Sequence, residues 1–194
     1  MIRNEVLDTI HARRSTRNYT DQQVNDEQLE TLLDAAIWAP SGGNNQSWLF
    51  TAIQNKEILL KLNQLVREGY KHWEPDDDYP GKQRTKVAAQ KDSYNFYYHA
   101  PVVIIASNKP NYQNAMADCA LALENIFLAA QSMGLGSCYL NHLHWLRNDA
   151  DIRDFLYTLG IPKEHTICSA AAVGFIGKAS VPPARKPNTT RIIK

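Results

Sequence analysis

The feature that most constrains this chain is a pair of neighbouring apolar segments. Pro101 to Ala106 is an almost continuous run of Val and Ile, and Gln113 to Met133 is apolar nearly all round the helical period. A strand of the first kind needs cover on both faces, and a helix of the second kind needs a place at the centre of a core. Both demand one sizeable hydrophobic interior. The 194 residues fit a single domain built around it, since a domain usually runs to roughly 150 residues. With 44% hydrophobic and 21% charged residues the chain is too apolar for intrinsic disorder.

The 21 basic and 20 acidic residues leave a formal charge of +1. There is no global field to hold nucleic acid or an anionic membrane, so neither is expected as a partner, and any anion site must be local. The richest apolar stretch, Ala117 to Ala130, is interrupted by Asp118 and Glu124 and falls short of the roughly 18 residues that would span a bilayer. The opening Met1-Ile2-Arg3-Asn4-Glu5 lacks the apolar segment of a signal peptide. A cytoplasmic location is expected.

Along the chain, Asn4 is placed to cap a first helix with Val6, Leu7 and Ile10 on one face. Asn25 and Gln28 have the spacing of a capping box, Val24 and Leu29 that of a hydrophobic staple, and Leu29, Leu32, Leu33, Ala36 and Ile37 repeat at helical period up to Pro40. A small and amide-rich loop from Ser41 to Gln46 then leads into a β-prone run from Trp48 to Ile53. Asn55 can cap a third helix carrying Ile58, Leu59, Leu62, Leu65 and Val66, after which Glu74 to Gly81 reads as a polar, mobile excursion. Gly134 should end the long helix, and Ser137 to Leu140 should form a strand. A helix from about Asn148 to Leu159 and a strand from Thr166 to Phe175 follow, before a basic, Pro-rich tail from Gly177. Helices come first, and strands and helices then mix. That order predicts an α+β layer of helices on a small sheet in place of a regular βαβ series.

Several chemistries lack their motifs. Cys119, Cys138 and Cys168 are widely spaced, lie in apolar stretches and include no Cys-x-x-Cys pair, so they read as buried thiols. Gly134-Leu135-Gly136 lacks the third Gly of a dinucleotide fingerprint and follows a helix where that motif follows a strand. No P-loop and no Gly-x-Ser-x-Gly elbow is present. His142 and His144 would share a face in an extended strand, but no third ligand stands at a recognised spacing, and Asp76-Asp77-Asp78 lacks the pattern of a calcium loop. No metal site and no catalytic side chain is assigned.

Two constellations remain. Arg13, Arg14, Ser15 and Arg17 gather three guanidinium groups and a hydroxyl within five residues, enough donors to wrap a phosphate. The same cluster could instead be a solvated patch that complements a helix C-terminus. Pro40-Ser41-Gly42-Gly43-Asn44-Asn45-Gln46-Ser47-Trp48 combines Gly, which permits close backbone approach, with amides suited to a planar heterocycle bearing imide edges. Its plainer reading is a turn between a helix and a strand.

Taken in order, the arginine cluster, the amide loop, the segment from Asp118 to Leu140 with Gly134-Leu135-Gly136, Val173-Gly174 and the tail Pro182-Pro183-Ala184-Arg185-Lys186-Pro187 resemble the nitroreductase family of FMN-dependent oxidoreductases. The resemblance covers almost the whole chain. It implies an α+β nitroreductase-like fold: a small, mostly antiparallel sheet packed by helices, in an intertwined homodimer with FMN at the subunit interface. The chain would be one FMN-binding domain, 1–194, with 177–194 reaching toward the partner. By resemblance, Arg13, Arg14, Ser15, Arg185 and Lys186 match the phosphate and ribityl clamp. Arg17 matches a basic residue beside the pyrimidine edge, where a cation would favour the anionic reduced flavin. Pro40, Ser41, Gly42, Asn44 and Gln46 match a loop that reaches the ring from the other subunit, and Ser47 stands where that family usually carries Pro. Cys138, Tyr139 and Leu140 match a strand-end segment facing the ring.

The implied activity is two-electron transfer from NAD(P)H through FMN to a nitroaromatic, quinone or other conjugated acceptor, with the reactivity in the cofactor. A specialised reductase of the same fold, such as a reductive dehalogenase or an enoyl-type reductase, would differ in the region from Gly69 to Tyr98. Storage or sensing of FMN without turnover is a third reading.

Overall fold

The computed structural model describes residues 2–75 and 79–194. The Asp76 to Asp78 triplet lies outside the described residues. The elements run α1 (Glu5–Ala12), α2 (Asp26–Ile37), a 3-10 turn (Gly42–Asn44), β1 (Leu49–Ile53), α3 (Lys56–His72), α4 (Pro80–Ala89), β2 (Val102–Asn108), α5 (Ala115–Ser132), β3 (Leu135–Leu140), α6 (His142–Trp145), α7 (Ala150–Thr158) and β4 (Thr166–Phe175). The four strands form one sheet in the order β1-β2-β4-β3, and every pairing is antiparallel. This is the α+β layering that the order of elements predicts.

The apolar run at β2 is explained by its position. Every residue of β2 is buried, because alternate side chains enter two different cores. Val103 and Ile105 join Leu59, Leu62 and Val66 of α3 and Ile152 and Leu156 of α7. Val102, Ile104 and Ala106 join Leu32 and Ala36 of α2 and Ala122, Leu123 and Ile126 of α5. The neighbouring central strand does the same, with Ala170 and Ala172 on one side and Ala171 and Val173 on the other. Helices therefore cover both faces of the sheet.

Local signals placed most boundaries. Asn4 accepts from the Leu7 N–H at 2.9 Å, the Asn25 and Gln28 box is closed in both directions, and Asn55 accepts from Glu57 and Ile58. Gly134, at φ +74°, follows α5, where a left-handed residue is easiest for Gly. Asp149 caps α7 through the Ile152 N–H at 3.0 Å.

Three features differ from expectation. Helix α3 continues past its Leu and Val pattern to His72, because Tyr70 is fully buried and packs edge-on against Trp73, Tyr94 and His142. Pro80 and Gly81 belong to α4, a polar helix opened by Pro80 at its first turn and without the apolar period that would reveal it. His142 and His144 lie on a helical turn, α6, and not on a strand. Residues two apart on a helix point to different sides: His142 sits among aromatic rings, and His144 Nδ1 lies 3.0 Å from the Ile167 carbonyl. The three cysteines are free and buried.

Candidate functional site

The arginine cluster is held open by the sheet edge. After α1 the chain runs alongside β3, where Ser15 pairs with Ser137, and then past the end of β4, where Tyr19 pairs with Ile176. The Thr16 N–H donates to the Ser137 carbonyl at 2.8 Å, and the Gly177 N–H returns to the Asn18 carbonyl at 3.0 Å. Tyr19 Oη lies 2.8 Å from the Thr16 carbonyl and 3.2 Å from the Ala172 carbonyl. With its backbone pinned in this way, the segment presents its side chains to one cavity of about 330 Å³. Arg13, Arg14, Ser15, Arg17 and Arg185 line that cavity together with Ser180.

Ser180 was not anticipated. Its Oγ donates to the Ser15 carbonyl at 3.2 Å and brings the tail to the cluster; a Ser among prolines carries no motif that would single it out. Lys186, expected beside Arg185, is not among the lining residues. Arg14, Arg17 and Arg185 beside Arg13 leave the cleft cationic, although Glu124 Oε1, 3.4 Å from Arg13 Nε, offsets part of that charge. Arg14 Nε is buried without a hydrogen-bond partner among the described residues. A buried guanidinium nitrogen left unpaired is costly. An anionic oxygen in this cleft would satisfy it.

Arg17 also lines a second cavity of about 670 Å³, whose wall includes Tyr94, Tyr98, Tyr139, Asn141, His142 and Trp145. Its guanidinium lies over the Tyr98 ring, 5.9 Å from the centroid. Burial opposes the charge of Arg17, but Cys138 and Tyr98 more than offset that and raise its pKa. Burial raises the Tyr98 hydroxyl and pushes His142 down to about 4. The imidazole is therefore neutral at physiological pH. Burial also raises the Cys138 thiol, against the pull of Arg17 and Arg13, so this cysteine is no thiolate nucleophile.

The strand-end segment divides by the period of the sheet. Tyr139 lines the larger cavity, whereas the side chains of Cys138 and Leu140 are packed in the core beside α3 and α7. Only backbone atoms of those two residues can face a ligand.

Pro40, Ser41, Gly42, Asn44 and Gln46 line neither cavity. Their loop is nevertheless sharply defined. Gly42 N–H donates to the Asp118 carboxylate at 3.2 Å, and Gln46 N–H donates to Ser41 Oγ at 3.1 Å. Gly43, Asn44 and Gln46 have φ of 60°, 54° and 47°, left-handed conformations that cost energy at the two side-chain-bearing positions. Ser47, at the position where Pro is usual, places its Oγ 2.8 Å from Asn108 Oδ1 and so supplies a partner to a buried amide. Asp118 and Tyr112, which hold this loop, were not singled out as site residues; an acidic residue inside an apolar helix was the available signal.

The fold and these cavities define a class: an α+β domain in which a cationic cleft joins, through one arginine, a larger chamber partly walled by aromatic rings. The sequence profile of the nitroreductase family matches residues 10–175, and the chain belongs to that family. A protein of Archaeoglobus fulgidus with the provisional name NADH dehydrogenase/NAD(P)H nitroreductase is 32% identical, over 88% of this chain and 85% of that one. An FMN reductase [NAD(P)H] of Bacillus subtilis is 27% identical, over 95% of this chain and 71% of the other. Among solved structures, a nitroreductase of Bacteroides fragilis crystallised with bound FMN superposes with a TM-score of 0.91 at 36% identity, over 99% of this chain and 100% of that one. No helix among the described residues is long and apolar enough to cross a membrane.

Proposed function

We propose that this chain is an FMN-dependent NAD(P)H oxidoreductase acting on conjugated acceptors such as nitroaromatics or quinones. The observation that carries the reading is Arg17, which lines both the cationic cleft and the aromatic cavity. FMN has that same division, a phosphate at one end and a planar ring at the other. The unpartnered Arg14 Nε fits it to the cleft, and the names of the relatives point the same way.

When bound, FMN supplies the two-electron chemistry between nicotinamide and acceptor. Arg13, Arg14, Ser15 and Arg185 neutralise and orient the phosphate by charge-assisted hydrogen bonds. Arg17 sets a fixed positive charge beside the ring and thereby favours whichever form carries negative charge there. The side chains of Tyr94, Tyr98 and Trp145, at the wall of the larger cavity, offer flat apolar surface to the ring. The neutral His142 adds no competing charge.

The assembly is a homodimer in this reading, with Pro40, Ser41, Gly42, Asn44 and Gln46 completing the site of the partner. Two features support it. Helix α1 buries none of its residues within one chain, leaving Val6 at 65% and Ile10 at 44% exposure, and Trp38 beside the amide loop is 78% exposed. Residues 177–194 are exposed and carry Val181, Ile192 and Ile193 into the open. Apolar side chains along an extended arm suit the surface of a second copy.

The test is the visible spectrum of the purified protein, before and after anaerobic addition of NADH and of NADPH. Flavin bands that bleach support the enzyme. A flavin that stays oxidised favours storage or sensing, and a chain that takes up no FMN on reconstitution overturns the reading.

A further inference from the structure

The larger cavity carries more charge than a cofactor ring accounts for. Arg84 in α4 and Lys91 just beyond that helix line it along with Arg17, and no Asp or Glu does so among the described residues. The remaining wall mixes aromatic rings with small and polar side chains such as Thr85, Ser93, Asn95 and Asn141. Tyr94 and His142 meet with ring centroids 6.2 Å apart, and Tyr94 Oη and His142 Nδ1 are both buried without a hydrogen-bond partner among the described residues. Tyr98 is engaged differently, since its ring lies under Arg17.

These features select by chemistry. Flat rings at the wall favour a planar ligand. Arg84 and Lys91 are exposed, so a neutral quinone gains nothing from them, whereas an anionic substituent gains their attraction. With Arg13, Arg14 and Arg185 in the other cleft, the phosphate of a cofactor has its own cations. The volume, about 670 Å³, is shared between the flavin ring and the acceptor and lies within the range of pockets for small organic ligands.

We propose that this cavity selects a planar aromatic acceptor bearing an ionised acidic group, with the ring against Tyr94 and His142 and the acidic group toward Arg84 and Lys91. The inference rests on the oxidoreductase reading above and narrows its substrate class.

The probes are 4-nitrobenzoate and its uncharged counterpart 4-nitrobenzamide. Each is titrated calorimetrically into the full-length oxidised protein without NAD(P)H, and flavin content is assayed on the same sample. The natural chain should bind the nitrobenzoate more tightly by about fivefold or more, the scale of one or two exposed ion pairs. In the double variant Arg84→Gln, Lys91→Gln the two affinities should become equal, and Arg84→Glu alone should reverse or abolish the preference. Equal affinities in the natural chain overturn the proposal, as does a preference that survives both variants. A double variant that loses NADPH relative to NADH while keeping nitrobenzoate also overturns it, because the cations would then belong to the dinucleotide phosphate. A sample that takes up no FMN on reconstitution defeats the flavin reading, whereas a flavin-loaded sample without preference defeats only this inference.

Discussion

Asp118 in α5 accepts the backbone N–H of Gly42 at 3.2 Å, so the long central helix directly holds the loop between α2 and β1. Tyr112 closes the arrangement, its Oη lying 2.8 Å from Asp118 Oδ2 and 2.9 Å from the Gly42 carbonyl. A Cβ at Gly42 would come within 2.6 Å of that hydroxyl and closer still to Asn114 Nδ2. Loop and helix are therefore fitted to one another at Gly42. An acidic residue within an apolar helix acts here as a loop anchor.

Replacing Asp118 by Ala leaves the Gly42 N–H without its acceptor and the Tyr112 hydroxyl with only the Gly42 carbonyl, at a cost of about 1–3 kcal/mol in stability. Asp118→Asn keeps an acceptor and should lose less. If the loop completes the partner's site, FMN affinity should fall in the same order. Urea denaturation and flavin titration of both variants check the two effects; unchanged flavin affinity in the Ala variant would detach the loop from the site.

Gly136 lies against Thr16, whose Cβ would be 2.7 Å from an added methyl. Thr16 is buried and pinned by its N–H to Ser137, so it has little room to yield. Gly136→Ala should cost about 1–3 kcal/mol by overpacking and should disturb the arginine segment that rests on β3. Expected together are a lower midpoint of unfolding and weaker FMN binding.

Arg14→Ala removes the half-buried guanidinium from the cationic cleft and should weaken FMN binding roughly ten- to hundredfold, the range for hydrogen bonds to a charged group. Arg185→Ala, on the exposed tail, should cost less and lose its effect at high salt. Riboflavin, which has no phosphate, should bind natural chain and variants alike. Fluorescence titration at two ionic strengths measures all of these.

Arg17→Ala should lower the reduction potential of bound FMN, because the removed cation interacts with charge that develops on reduction. Redox titration of fully flavinated samples reads this directly. An unchanged potential would remove Arg17 from the ring edge.

His142 makes stability pH-dependent. Its pKa is about 4 in the fold, depressed by burial from 6.5, so the unfolded chain binds the proton more readily. The resulting stabilisation is complete above pH 6.5 and is lost as pH falls toward 4, by an amount on the order of 3 kcal/mol. Burial depresses His165 as well, giving a background in the same direction. His142→Phe should flatten the slope between pH 7 and 4 in urea unfolding.

Most elements were legible because their signals are local. The capping pairs at Asn4, Asn25 and Asn55 act within one turn, and the unbroken apolar run at Val102 to Ala106 reports burial on both faces wherever the strand lies. The arginine cluster was legible for the same reason, being contiguous. Helix α4 has no apolar stripe because much of it stays polar, and α6 is a single turn whose two histidines also suit a strand.

Composition and periodicity by themselves determined the class of fold, the double cover of the central strand, and which short segments carry cations and amides. Only the tertiary structure decided that Ser180 meets Ser15, that Arg17 belongs to two cavities at once, and that Asp118 anchors Gly42. The physical reason is separation along the chain: a cap or an apolar period is an energy between near neighbours, whereas these contacts join residues 165 and 76 positions apart and exist only after the sheet and its two helical layers have packed.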